Sequence, residues 1–344
     1  MTALAEQRQW TVPGPPPLPV VGRKLNVARF GLDSIGVGSH LFQTYGPVVS
    51  LAAGGGTNLY SPATDCPGSV IAYGPDIVRE VATHHHIYHK CPLSGTLYRQ
   101  KDKSDRTKAL KTFGVGLFGV NEETHLQQRK LMAPAFHKQG IRHYRDDMVA
   151  IATSEISALE IDQPCEISQF MQRLTLRIAT QTLFGDDINA SDQTVGELLQ
   201  EIIGTQLSPL ARLLPIDIPG LPFSDYLSLL AKYEQKIQKI ISQKRTQGDD
   251  GLDVLSMLIH ARDQESGQQL TEDELIGHAG VIFLAGHETT ANTLTWTLFL
   301  LSQHPQVSAD LLDELETQRV CGATLRSLPS SFLGSLPVTG AKLE

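Results

Sequence analysis

Glu288 and Thr289 stand side by side in "AGHETT" (285–290), inside the apolar run "VIFLAGHETTANTLTWTLFLLSQHP". A carboxylate and an alcohol there are misplaced polar groups, of the kind that can open a helix to a ligand or water. The same residues are awkward for a buried helix. Gly286 weakens it by about 1 kcal/mol relative to Ala, Glu288 puts a charge where ionisation is costly, and the hydroxyls of Thr289 and Thr290 can bond back to preceding carbonyls. Together they predict a local break in the helix, where a groove for a ligand or water can form. A second pair, His125 and Arg129 in "NEETHLQQRKLMAPAF", has i,i+4 spacing on one helix face.

Two further clusters carry less. "THHHIYHK" brings His84, His85, His86 and His89 together, and His85/His89 have the spacing of a helical metal pair. No carboxylate or third ligand stands at useful spacing, so an exposed loop is expected and no metal is assigned. "GVGLFG" (114–119) has the glycine pattern of a phosphate-cradling loop, the sole feature that points to a nucleotide-dependent dehydrogenase. Such a loop follows a strand, whereas "SDRTKALKTF" before it is polar, basic and unlike one. Gly114, Gly116 and Gly119 read instead as the flexible approach to a helix starting near Asn121.

The elements that must position these residues are mostly helical. "LFQTYGPVVSLAA" turns from helix to strand at Gly46-Pro47, and "GSVIAYGPDIVREVATHH" from strand to helix at Gly74-Pro75. From about residue 121 apolar residues recur at spacings of three and four. Tyr226, Leu230, Tyr233, Ile237 and Ile240 form one such stripe, and "LLPIDIPGLPF" (213–223) is a Pro-broken loop. Thr271 and Glu274 have capping-box spacing at the start of the longest helix. That helix is apolar on nearly every side as far as Pro305 and is expected to be buried all round.

The totals exclude several classes. A chain of 344 residues with formal net charge -8 lacks the basic footprint of nucleic-acid binders. No apolar run approaches the ~20 residues of a membrane span, and the start of the chain has no signal-peptide pattern. Cys66, Cys91, Cys165 and Cys321 never form a CxxC, which argues against a disulfide scaffold or zinc ribbon and fits a reducing compartment. A cytoplasmic location is expected.

"AGHETT" matches the pattern [AG]-G-x-[DE]-T-[TS], and so resembles the oxygen-activating helix of the haem-thiolate monooxygenases, the cytochrome P-450 family. "LTEDELIGHAGVIFLAGHETTANTLTW", "LTLRIATQTLFG", "GVGLFGVNEETHLQQRKLMAPAFH" and the Pro-rich start resemble the family in the same order, over roughly residues 10 to 316. The resemblance implies a mainly α fold of the bacterial soluble type with a small N-terminal β-portion. It divides the chain into a Pro-rich lead (1–22), a partial P-450 domain (23–316) and an aberrant tail (317–344), the last expected to result from a frameshift or premature stop.

It implies haem as cofactor, with His125 and Arg129 gripping its propionates and Ala285 and Gly286 letting the porphyrin lie close. His125 stands where many family members have Trp. Thr289 is implied to hold dioxygen and its water, and Glu288 to relay protons. The implied activity is hydroxylation of a small apolar organic substrate with dioxygen, using electrons from a separate donor protein, a ferredoxin or flavoprotein reductase. Segments 92–113 and 205–223 are implied to shape the substrate pocket. The family's cysteine loop, F-x-x-G-x-R-x-C-x-G, is not found. Cys321 in "TQRVCGATL" has no upstream F-x-x-G, and Glu316 and Arg319 spell E-x-x-R too early. A non-catalytic remnant with weak or no haem binding is therefore the alternative expectation.

Overall fold

The computed structural model describes residues 12–16, 24–53, 68–90, 105–160, 162–185, 193–208, 210–211, 216–247 and 251–318. Cys66, Cys91, Cys321 and Arg319 lie outside them, as do the whole of 319–344 and parts of both segments expected to shape a pocket.

Near the N-terminus, α1 (Lys24–Leu32) and α2 (Ser34–Tyr45) precede a two-stranded antiparallel sheet, β1 (Val48–Ala53) and β2 (Gly68–Ala72). Asp33 caps α2 by accepting from Gly36 N at 2.8 Å. Gly46, at φ 94°, supplies the backbone turn that lets Pro47 begin an extended run. Val48 pairs with Ala72, Val49 with Ile71 and Ser50 with Val70, with an irregularity between Ser50 and Ala52. Leu41, Val49 and Leu51 form the buried centre of this portion, with Phe30, Phe42 and Ile71 around them. Gly74 (φ 109°) then starts α3 (Pro75–Thr83), whose proline occupies the first turn, where its missing N–H is no loss. Both expected strand–helix transitions are where the Gly-Pro pairs put them.

The remainder is helical: α4 (Asp105–Gly114), α5 (Glu122–Met132), a short 3₁₀ turn (Ala133–Phe136), α6 (Lys138–Ser157), α7 (Ile167–Phe184), α8 (Val195–Leu207), α9 (Pro222–Gln247), α10 (Val254–His260), α11 (Glu272–Gln303) and α12 (Pro305–Gln318). The chain forms two compact units, each treated separately below. The first comprises Met1–Ala133, Gln200–Gln243 and Ala261–His278; the second comprises Pro134–Leu199, Lys244–His260 and Ala279–Glu344. The expected stripe on α9 is buried throughout, and the Tyr233 hydroxyl donates to Ile276 O on α11 at 2.8 Å.

Two expectations for α11 need correction. It is an unbroken α-helix over 32 residues. The Thr289 hydroxyl donates to Ala285 O, and Thr293, Thr295 and Thr297 bond back in the same way. Each accepting carbonyl takes the hydroxyl on its second lone pair, so the ladder survives. Nor is the helix buried all round. Residues 275–280 are fully buried, but beyond Ala285 only the stripe of His287 and Ala291 is, while Ala285, Gly286, Thr289, Thr293, Trp296 and Leu300 are exposed. All-round apolarity says that a face favours cover; it does not say which neighbour supplies it.

Candidate functional site

The first group of site residues is on α5. Asn121, at the helix N-cap, leaves the cap donors alone. Its side chain instead accepts from Lys90 N and donates to Lys90 O, both at 2.8 Å. This reciprocal amide pair fixes the segment after α3 against the start of α5. Glu122 and Glu123 in the first turn and Arg129 and Lys130 in the last complement the helix dipole. His125 is half-buried and Arg129 exposed. Burial lowers the His125 pKa, and the positive groups Lys90, Arg129 and His85 push it in the same direction. His125 thus sits in a positive field, as a carboxylate-binding surface requires.

The residues flanking Arg129 anchor the helix that carries it. Gln128 is buried, and its Nε2 donates to Glu274 Oε1 at 2.8 Å. Glu274 completes the expected capping box: its carboxylate accepts from Thr271 N at 2.8 Å, and its own N–H donates to Thr271 Oγ1 at 3.3 Å. Lys130 reaches Asp263 Oδ2 at 2.8 Å. The Lys130 ammonium, helped by Ser266, holds the Asp263 carboxyl well below the usual carboxylate range. These two tethers hold the helix on either side of the exposed Arg129.

The glycine stretch before α5 is a packing device. The 115–119 stretch is a run of turns, closed by Gly119 N donating to Gly116 O at 2.7 Å. A Cβ on Gly119 would lie 1.8 Å from Gly114 O. On α11, a Cβ on Gly277 would come within 2.7 Å of Gly116 N and 2.9 Å of Thr112 O. The glycines therefore serve close backbone approach, and the polar stretch before them is helix α4, not the strand that a dinucleotide loop follows.

The second group, Ala285, Gly286, Glu288 and Thr289, belongs to the other unit. Ala285, Gly286 and Thr289 are exposed and Glu288 is half-buried. A Cβ built on Gly286 meets nothing within 4 Å. This side of α11 is therefore a strip of small residues with one hydroxyl and a neighbouring carboxylate. A flat apolar ring can approach the backbone there.

The match to known proteins agrees with that chemistry. The family model described as cytochrome P450 matches residues 12–341.

The chain belongs to the cytochrome P450 family.

Among curated P450 relatives, it is 28% identical to cyclooctatin synthase of Streptomyces melanosporofaciens, over 75% of this chain and 59% of that protein. It is 26% identical to pentalenene oxygenase of Streptomyces avermitilis, over 89% of this chain and 62% of that protein. The chain thus spans about six-tenths of the length of these relatives. The P450 fold is shared with the retinoic acid-bound cyanobacterial CYP120A1, with a TM-score of 0.66 at 22% identity, covering 89% of this chain and 63% of that one. Haem is the cofactor of this family.

Each group of residues singled out in the sequence is coherent within its own unit: His125 with Arg129 on α5, and Ala285 to Thr289 on α11. Sequence reasoning missed Lys90, whose proximity to α5 depends on the Asn121 pairing across 31 residues. It also missed Gln128 and Lys130 as anchors, since their partners lie far along the chain. The histidine run behaves as a surface turn. Helix α3 stops at Thr83, so His85 and His89 do not share a helix face. His84 faces Glu80 at 3.2 Å and His89 faces Glu122 at 3.1 Å. Among the described residues no group of three or more His, Cys, Asp and Glu side chains is arranged to hold a metal.

Proposed function

We propose that this chain works in a haem-dependent monooxygenase that hydroxylates an apolar organic substrate with dioxygen. One observation carries the reading: a P450 chain in which His125 lies in a field of positive groups also presents exposed Ala285, Gly286 and Thr289. The residues suit the group. Propionates call for donors in a positive field, which Arg129 supplies as a cation and His125 as a neutral N–H with Lys90 nearby, and a porphyrin face calls for a smooth strip, which Ala285 and Gly286 supply. When bound, haem supplies the redox chemistry that activates dioxygen.

The protein's part is positioning and proton handling. With haem bound, Arg129 would hold a propionate by charge-assisted hydrogen bonds and His125 by a weaker one. Thr289 has its proton committed to Ala285 O, so its oxygen is left to accept from a water or a protonated ligand above the strip. Glu288, one residue away and half-buried, exchanges protons between solvent and that water. Electrons come from a separate donor protein, a ferredoxin or a flavoprotein reductase. An apolar substrate accords with relatives named as pentalenene oxygenase and cyclooctat-9-en-7-ol 5-monooxygenase. A cytoplasmic location belongs to the same reading, on the scattered cysteines; among the described residues no helix is long and apolar enough to cross a membrane.

Titration with hemin, followed at the Soret band, tests the proposal. The wild-type chain should bind saturably and Arg129→Ala about tenfold or more weakly, the cost of one charge-assisted bond. Hemin dimethyl ester should remove the difference between the two proteins. Equal hemin affinity for both would count against the assignment.

A further inference from the structure

The seam between α7 and the second half of α11 is largely apolar. Phe170, Met171 and Leu174 from α7 are buried with Ala291 from α11, and Leu298 packs at the margin. Phe283, one turn before His287, is also buried, and the two rings lie 5.4 Å apart. Within this seam His287, 3% exposed, meets Thr175, 4% exposed. The distance from Thr175 Oγ1 to His287 Nδ1 is 2.9 Å.

A second contact of Thr175 bears on the direction of that bond. Oγ1 also lies 2.9 Å from Met171 O, the carbonyl one turn back; with its one proton donated there, Oγ1 accepts from the imidazole, whose proton then sits on Nδ1. Burial lowers the His287 pKa and keeps the ring neutral. A buried polar pair adds little net stability, but any other alignment strands a donor and an acceptor away from water. Successive helical residues turn by about 100°. The roll that aims His287 at Thr175 is therefore the roll that leaves Gly286, Thr289 and Thr293 on the open side.

We propose that the Thr175–His287 pair is a roll lock: two positioning residues on α7 and α11 that aim the Gly286–Thr289 strip outward from an otherwise permissive apolar seam. Its purpose rests on the haem reading, but its test does not. In the full chain, Thr293→Cys reports the open face and Ala291→Cys the seam, with maleimide labelling resolved peptide by peptide so that native cysteines do not interfere. With the lock intact, position 293 labels fast and position 291 slowly. Combining Thr175→Val with His287→Leu preserves volume while removing both polar groups. The unfolding midpoint should not fall, yet the ratio of the two labelling rates should drop at least about fivefold. His287→Asn, whose amide nitrogen takes the place of Nδ1, should restore the ratio when Thr175 is present. Nitrogen-15 spectra of the wild-type histidines supply an independent check that needs no variant, and should show His287 as the Nδ1–H tautomer. An unchanged rate ratio in the double variant, or an Nε2–H tautomer in the wild type, overturns the proposal. Failure of hemin binding would leave it standing, and its own failure would leave the haem reading untouched.

Discussion

Acid should destabilise this protein through one histidine. His278, on α11 one turn beyond Glu274, is fully buried, and neither ring nitrogen has a hydrogen-bond partner. Burial pushes its pKa down from the ordinary 6.5 to about 4, with the nearby Glu274 carboxylate opposing only part of that shift. Above pH 6.5 the ring is neutral in both folded and unfolded chains, and no linkage acts. As pH falls below 6.5 the unfolded chain takes up a proton that the folded one refuses. Stability should then decline by about 1.4 kcal/mol per pH unit, reaching a loss of about 3 kcal/mol by pH 4, and level off below. His287, also lowered by burial, acts in the same direction, so the measurement is a difference between two proteins. Urea unfolding of wild type and His278→Leu at half-unit steps from pH 7.5 to 4 should give curves that diverge below pH 6.5, the variant losing less. Because Leu strands no polar atom, it should be at least as stable at neutral pH. Parallel curves would show that His278 accepts its proton in the folded state and would refute the reasoning.

Gly286→Ala should raise stability by about 0.5–1 kcal/mol, since the added methyl meets open space on a helix, yet weaken hemin binding; thermal melts and a Soret titration on one variant read both. Gly119→Ala should destabilise by about 2 kcal/mol or more, because its methyl would collide with the Gly114 carbonyl, and a lowered melting temperature checks it. Asp253→Ala should cost about 3–5 kcal/mol in urea unfolding. It strands Lys244, whose ammonium lies 2.7 Å from Asp253 Oδ2 with both side chains largely buried, and removes the cap on Ser256 N.

Much of the fold was legible because local chemistry agreed with tertiary need. Gly46-Pro47 and Gly74-Pro75 marked element boundaries, the α9 stripe named its buried side, and Thr271 with Glu274 formed the expected cap. The site residues were legible as types and spacing, since i,i+4 places His125 and Arg129 together whatever surrounds them. What surrounds them was not. Lys90 joins that neighbourhood through an amide pair with Asn121, and Gln128 and Lys130 find partners more than 130 residues away. Loop-closing contacts of that kind leave no period in a sequence. The exposure of α11 beyond Ala285 was hidden for another reason. Hydrophobic periodicity reports which side packs only when the other side is polar, and here Trp296, Phe299 and Leu300 lie exposed alongside Thr289 and Thr293. His287 was passed over because a histidine inside a motif reads as a filler; only its bond to Thr175 gives it a task.

The central claim is that the α5 face carrying His125 and Arg129 takes up haem. Photo-activated carbene footprinting of the chain, with and without hemin, tests it most directly. Labelling should fall on the peptides that carry His125 and Arg129, and remain unchanged on the exposed loop around Cys165. Hemin that leaves the His125–Arg129 peptides as reactive as before would contradict the account.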